Sequence, residues 1–488
     1  MTIQLYTIYE DVDLPLSVTI VGQKGYRSQN RRLSRLVLMR WPDGRPCHLV
    51  NHWLMLESSK TEARDSTRVY AGHLSHLVRY CFEHKIDFFD FTDEHFYTFT
   101  EQLKAIQKNN AIVSEEYIGS NHVRAIQQRC LHFLAWISQK YPELSGNLLI
   151  GEDGDNAKIT ILYKVNPFTG KKEISHRYML YPTPDKDDKG VITEGAIQAI
   201  LNAIFKAHDI SQLPQRALTK LKADRDLFIA RNTYLFERRL FCIRLLKLSG
   251  LRPEELVDIP LIANQSVISN RHILIPTKKQ GYPAPLRKFE VTIRAALDFK
   301  RYIDQRGNFT EFLSSRTPAY SAPSSLLLSE YGTSIRKESL TREFSRLCKS
   351  ANLIDVRTCL SMFRHRFITR EMHLLMLLRF QKNPELRESW TPAFKEEVCL
   401  IVMKKTGHRK PKSLYTYFDE EHRLLRSDPR REDRLDAVEK LESAQESLVD
   451  LKFQSQLSGD QDAAIKIGEI ENDIIKLYRK LLGDSLPD

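Results

Sequence analysis

The amino-acid sequence predicts a mainly α-helical chain with a small β-sheet, an α+β fold spread over more than one domain. Three observations carry that expectation. At 488 residues the chain exceeds what one hydrophobic core supports, and a prior of about 100–200 residues per domain gives roughly three. Apolar residues recur at helical spacing through most of the stretch from 58 to 425, as in helices with one buried face. Alternation of period two is confined to short runs bounded by turn residues, the pattern of small hairpins.

Composition narrows the class of partner. Lys and Arg outnumber Asp and Glu by 12, and the isoelectric point is near 9.2, which favours a polyanion such as nucleic acid. The charge is uneven. Residues 430–488 hold nine basic and fourteen acidic residues, a net of −5, so the remainder carries +17. The seven cysteines are scattered without CxxC spacing, which reads as buried thiols in a reducing compartment. The N-terminus has acids where a secretory leader needs basic residues and an apolar run, and no stretch reaches the ~20 apolar residues of a membrane span. A soluble, cytoplasmic protein without membrane contact is expected.

Taken in order, residues 1–57 hold short β-rich runs such as Leu36–Met39 among Gly, Pro and Asn, and read as a β-containing extension. From 58 to 142 the period becomes helical. Tyr70, Leu74, Leu77, Val78, Cys81 and Phe82 share one face; Phe96, Phe99 and Leu103 mark a shorter helix; Ser120 or Asn121 caps a third, striped by Val123, Ile126, Cys130, Leu134 and Ile137. Residues 143–190 read as a hairpin turning at NPFTG, then the polar linker TPDKDDKG. Residues 191–425, with a helix starting at Thr193, form a mixed domain whose strand-like stretches are Ser266–Thr277 and Lys288–Ile293. Residues 426–488 describe two amphipathic helices, striped by Leu435, Val438, Leu441, Leu448 and Leu451, then by Ile467, Ile470, Ile474, Leu477 and Leu481. These stripes are too short for a long coiled coil and suit docking on the body or on a neighbouring subunit.

Three motifs in the mixed domain carry chemistry. In SGLRPEEL, Gly250 can end one helix in the left-handed conformation and Pro253 can start the next, which holds Arg252 on a rigid turn. In MFRHRF, Arg364 and His365 are adjacent on a helix. In TGHRKPKSLYTYF, Gly407 ends a helix, His408 opens the next turn and Tyr417 follows nine residues later. Singly, each is ordinary: a helix corner with a solvated arginine, or a core tyrosine.

Together and in this order, GLRxxE, a hairpin with lysine in its turn, an arginine–histidine pair, and GH followed by Tyr resemble the catalytic domain of the tyrosine recombinase (phage integrase) family. Residues 58–142 resemble that family's helical core-binding (SAM-like) domain, so the resemblance covers about 58–425. It implies a two-domain C-shaped clamp around duplex DNA, and strand cleavage through a 3′-phosphotyrosine at Tyr417 without metal or nucleotide. In-line attack on a phosphodiester builds charge on non-bridging oxygens, which planar, permanently charged guanidiniums bind in pairs. The resemblance gives Arg252 and Arg364 that role. It gives His408 a hydrogen bond to the scissile phosphate, and a hairpin lysine the protonation of the departing 5′ oxygen. Lys278 is the first choice, with Lys279 an alternative one residue away. Glu255 matches the acid that orients the site, and Arg409, Lys410 and Lys412, beside Tyr417, either hold the DNA backbone or form a solvated basic turn.

Two departures stand out. Where the family's HxxR motif begins with histidine, this chain has Ser361; a hydroxyl still hydrogen-bonds phosphate, and His365 or His408 can share the acid–base work. The 44 residues from Arg364 to His408 are about twenty more than the resemblance leads one to expect, with Lys382–Trp390 the insertion. The expected partners are duplex DNA with an inverted-repeat core site, a homotetramer formed on it, and accessory proteins of the same mobile element; no cofactor is expected. The alternatives are a type IB topoisomerase-like enzyme with the same chemistry, and a DNA-binding assembly subunit that keeps the fold without cleaving.

Overall fold

The computed structural model describes residues 3–21, 25–60, 66–113, 120–144, 146–165, 172–181, 190–278, 280, 284–353, 358–427 and 461–482, with isolated positions between 441 and 451. The chain forms two compact units, one within Met1–Asp188, the other built from Lys189–Lys278 and Ala284–Asp488.

The first unit opens on a long antiparallel hairpin, β1 (Tyr6–Val21) and β2 (Gly25–Met39), running from the pair Tyr6 and Met39 out to Val21 and Gly25. Its base is anchored in a core through Leu5, Val37 and Met39. Four helices follow: α1 (His48–Lys60), α2 (Ser66–His84), α3 (Asp93–Val113) and α4 (Ser120–Lys140). The apolar positions spaced for a helix bury together, Leu74, Leu77, Val78 and Cys81 on α2 against Val123, Ile126, Cys130, Leu134 and Ile137 on α4, with Trp53, Phe88, Phe96 and Phe99 filling between. Two details differ from the sequence reading. Helix α1 begins inside the segment read as β-rich, and α3, at 21 residues, is longer than α2 at 19. A three-stranded sheet completes the unit: β3 (Ile150–Gly151) runs parallel to β4 (Ile159–Val165), which pairs antiparallel with β5 (Lys172–His176). Buried His176 bonds through Nε2 to Asp93 Oδ1 at 2.7 Å, tying that sheet to the first turn of α3. The turn NPFTG and most of the linker 183–190 lie outside the described residues.

In the second unit the Thr193 hydroxyl caps α5 (Glu194–His208), followed by α6 (Gln215–Ala223), α7 (Arg225–Ser249) and α8 (Pro253–Val257). The expected strand at Ser266–Thr277 starts only at His272: Val267–Asn270 is a helical turn, α9, closed by Arg271 in the left-handed region at φ 53°. Strands β6 (His272–Pro276) and β7 (Leu286–Glu290) form a two-stranded antiparallel sheet, and Thr292 then caps α10 (Ile293–Arg316). Helices α11 (Lys337–Ser350), α12 (Ser361–Lys382), α13 (Pro392–Thr406), α14 (Tyr415–Ser427) and α15 (Gln461–Leu482) complete the order.

Helix α7 is central to the main core: Tyr234 stacks on Phe309 at 4.5 Å and Phe241 on Tyr302 at 4.2 Å, aromatic pairs that add directional packing to area burial. A second cluster, with Met372, Met376, Val398, Val402, Leu414 and Phe418, fixes α14 against α12 and α13. The segment Lys382–Trp390 contains one 3-10 turn, Pro384–Arg387, between α12 and α13. Most of the first tail stripe lies outside the described residues; on α15, Ile467 and Ile474 pack with Leu448. The mainly helical class with small sheets is therefore the observed one, and no described helix is long and apolar enough to cross a membrane.

Candidate active site

Backbone geometry places the first arginine. Helix α7 ends at Gly250, which adopts the left-handed conformation (φ 56°) that a Cβ disfavours. A Cβ there would also lie 2.6 Å from Cβ of Phe367 on α12, so glycine permits the close approach of the two helices. Two residues on, Arg252 is the N-cap of α8, with Pro253 in the first turn. The Glu255 carboxylate reaches back to the Arg252 amide at 3.1 Å and takes its Nη1 at 2.8 Å, which holds both backbone and guanidinium.

Glu255 is fully buried and is the hub of the site. Besides Arg252 it accepts the Lys278 amide at 3.3 Å and Nη2 of Arg287 at 3.1 Å, and Nη1 of Arg364 stands 3.9 Å away. Burial pushes its pKa upward, but the Arg287 and Arg252 guanidiniums outweigh that and hold the carboxyl below its usual range.

Arg364, near the start of α12, is also buried. Its Nη1 donates to the Gly250 carbonyl at 3.0 Å and its Nη2 to the Thr406 carbonyl at 2.7 Å, while Nη2 lies 3.3 Å from both ring nitrogens of His408. Burial first, then repulsion from Arg252, lowers Arg364 to about 9. Among the described residues three guanidiniums meet the single carboxylate of Glu255, which leaves net positive charge for an anion.

His408 follows Gly407, the left-handed C-cap of α13 (φ 66°). The one hydroxyl proton of Thr406 goes to the Val402 carbonyl at 2.7 Å, so its oxygen accepts Nδ1–H of His408 at 2.6 Å. That leaves Nε2 as the lone-pair nitrogen toward Arg364. Burial, then the charges of Arg364 and Arg252, lower His408 to about 3 and keep the imidazole neutral.

Tyr417, on the first turn of α14, is hydrogen-bonded through its hydroxyl to Nδ1 of His365, and the two rings stack at 5.7 Å with 27° between planes. Burial raises the phenol's pKa, Arg364 draws it down and Glu420 adds to the rise. The residue beside Arg364 thus contacts the tyrosine, while His408 contacts the arginine.

The other expected residues are more dispersed. The Lys278 ammonium is ion-paired with Asp258 just beyond α8, and Lys279 lies outside the described residues. Ser361 Oγ is 3.1 Å from Cys359 Sγ, at the start of α12. Arg409, Lys410 and Lys412 are exposed on the turn between α13 and α14. No group of three or more His, Cys, Asp or Glu side chains among the described residues is placed to hold a metal ion.

Sequence reasoning misses Arg287. On β7 it shares a face with buried Phe289 while Leu286, Lys288 and Glu290 are exposed, and an arginine in the inward register of a strand is the signal that would have found it. Its Nη1 donates to Thr277 Oγ1 at 3.3 Å, and its buried Nε has no hydrogen-bond partner among the described residues.

No family model and no curated protein sequence matches this chain. Solved structures similar to it include XerA recombinase, at 10% identity over 78% of this chain and 97% of that one, with a TM-score of 0.30. A second is XerH site-specific recombinase bound to its palindromic difH substrate in a post-cleavage complex, at 14% identity over 75% and 80%, with a TM-score of 0.40. A third is a lambda integrase dimer bound to a COC′ core site, at 10% identity over 76% of each chain, with a TM-score of 0.38.

Proposed function

We propose that this protein is a site-specific DNA recombinase that cleaves and rejoins duplex DNA through a 3′-phosphotyrosine at Tyr417. The observation that carries the reading is the convergence of distant segments: Arg252 and Glu255 from α8, Arg364 and His365 from α12, His408 from the end of α13 and Tyr417 from α14.

Each group has a chemical part. Arg252 and Arg364 bind the non-bridging oxygens of the scissile phosphate, where charge grows in the transition state. A phenol with a raised pKa is a poor nucleophile at neutral pH. His365 takes its proton at Nδ1 as the Tyr417 oxygen bonds to phosphorus and the phosphorus–5′-oxygen bond breaks. Lys278, released from Asp258, or Lys279 gives the departing oxygen its proton, and His408, whose Nε2 lone pair faces Nη2 of Arg364, orients that guanidinium toward the phosphate. The new bond is again a phosphodiester, so attack by a 5′ hydroxyl reverses the step without ATP. The substrate on this reading is duplex DNA with an inverted-repeat core bound by a tetramer, for integration, excision or transposition of a mobile element.

A second reading, a DNA-binding assembly subunit that does not cleave, draws support from the engagement of Lys278 with Asp258 and from Ser361 in the place of a histidine. One experiment separates them. Nicked duplexes from the DNA flanking the gene are incubated with wild type and with Tyr417→Phe, without metal or ATP, and covalent adducts are resolved on denaturing gels. An adduct formed by wild type and lost in the variant, with DNA binding intact in both, supports the recombinase. DNA-bound wild type that gives no adduct supports the assembly subunit.

A further inference from the structure

Glu255 sits among three guanidiniums but bonds only two of them. A carboxylate offers about four lone-pair directions, and here all are taken: Oε1 by Arg252 Nη1 and the Lys278 amide, Oε2 by the Arg252 amide and Arg287 Nη2. Arg364 is left at 3.9 Å, with Nη1 bonded to the Gly250 carbonyl and Nη2 to the Thr406 carbonyl and against His408, all neutral acceptors. Arg287 is itself held in that post by Thr277 Oγ1 and by the bare backbone of Gly407, where a Cβ would lie 3.0 Å from its Nη1.

Resting on the recombinase reading, we propose that Arg287 is a positioning residue: by saturating Oε2 of Glu255 it keeps Arg364 off that carboxylate and available to the scissile phosphate. The physical ground is a competition. A charge-assisted bond between guanidinium and carboxylate is roughly twice as strong as one to a neutral carbonyl, so an open lone pair on Oε2 draws the nearest guanidinium held only by neutral acceptors. Without Arg287 that cation is Arg364. Closing the gap from 3.9 Å to an ordinary hydrogen bond of about 2.9 Å takes Arg364 away from His408 and swallows its charge. Displacement of about 1 Å at a reacting centre lowers rates about 100-fold.

The test is a double-mutant cycle of Arg287→Met and Glu255→Gln, with Arg287→Lys as the conservative variant. It reads single-turnover adduct formation on the nicked duplex, duplex binding, and the Arg364–Glu255 separation in crystals of the DNA-free proteins. Arg287→Met is expected to slow cleavage about 100-fold with binding unchanged, Arg287→Lys to retain most of the rate, and Arg287→Met to slow the Glu255→Gln protein by less than about tenfold, because a neutral amide does not capture Arg364. In the crystal Arg364 should move onto Glu255. Equal losses in both backgrounds, or an Arg364 still 3.9 Å from Glu255 in folded Arg287→Met protein, would overturn the assignment. Should wild type form no adduct, the reaction itself is refuted, and the separation still decides the role of Arg287.

Discussion

Tyr417 bonds through its hydroxyl to Nδ1 of His365, the residue that follows Arg364 on α12. Position 361, four residues before His365, carries serine, and Ser361 Oγ turns to Cys359. One helical turn along α12 the imidazole returns, on the same face of the helix and against the phenol. An imidazole thus stands beside Tyr417, supplied from position 365.

Replacing His365 with Gln should therefore slow adduct formation by about 10²–10⁴-fold near neutral pH, the usual contribution of a positioned base. The deficit should shrink as pH rises, because the raised phenol pKa matters less once solvent hydroxide can remove the proton. Single-turnover rates from pH 6 to 10 check this. A deficit that is constant across the range would show that His365 orients Tyr417 without taking its proton.

Acid should destabilise the protein. Burial is the main cause that lowers His408 to about 3, and His208, His73 and His76 to about 4, against an ordinary 6.5. With depressed values the folded chain keeps these rings neutral while the unfolded chain protonates them, so stability is fully present above about 6.5 and is lost as pH falls toward 4. Urea midpoints should drop over that window, and His208→Gln should flatten the drop. An unchanged slope in that variant would mean its ring is already charged when folded.

Gly250 and Gly407 should each resist alanine. Both have positive φ, a strain of about 1–3 kcal/mol for a side-chain-bearing residue, and both face a neighbour too close for a methyl, Phe367 in one case and Thr277 with Arg287 in the other. Denaturant titration should show a larger loss for Gly250→Ala, whose Cβ would meet a side chain at 2.6 Å. Alanine at 407 should disturb cleavage more than stability, since Arg287 is the flexible neighbour.

DNA affinity should fall linearly with salt on logarithmic axes, and the exposed basic turn should set part of the slope. Each of Arg409→Ala, Lys410→Ala and Lys412→Ala that loses a phosphate contact should make the slope shallower by about 0.9. Fluorescence anisotropy at several salt concentrations measures it, and three unchanged slopes would remove this turn from the DNA interface.

How much of this was legible in the sequence follows from where each signal resides. Gly250, Pro253 and Gly407 are readable as helix punctuation because their backbone preferences act locally, and the stripes on α2 and α4 are readable because burial imposes a period. Arg287 is not readable in that way: its value comes from Glu255, 32 residues away, and only its inward register on β7 hints at it. The pairing of Lys278 with Asp258 is invisible for the same reason. The strand expected from Ser266 begins later because Arg271 turns the chain through the left-handed region, a conformation unusual for arginine. The parallel pairing of β3 with β4 rests on two residues of strand, too few to leave an alternating pattern.

The two carbonyls that receive Arg364 belong to the ends of different helices, Gly250 closing α7 and Thr406 closing α13. Mechanically, the guanidinium is a rivet through two rods. Helix α13 cannot slide along its axis without breaking the bond at 2.7 Å or dragging the rivet with it. The segment Lys382–Trp390 leads into the N-terminus of α13, and Thr406, which receives Arg364, closes that 15-residue helix at its other end.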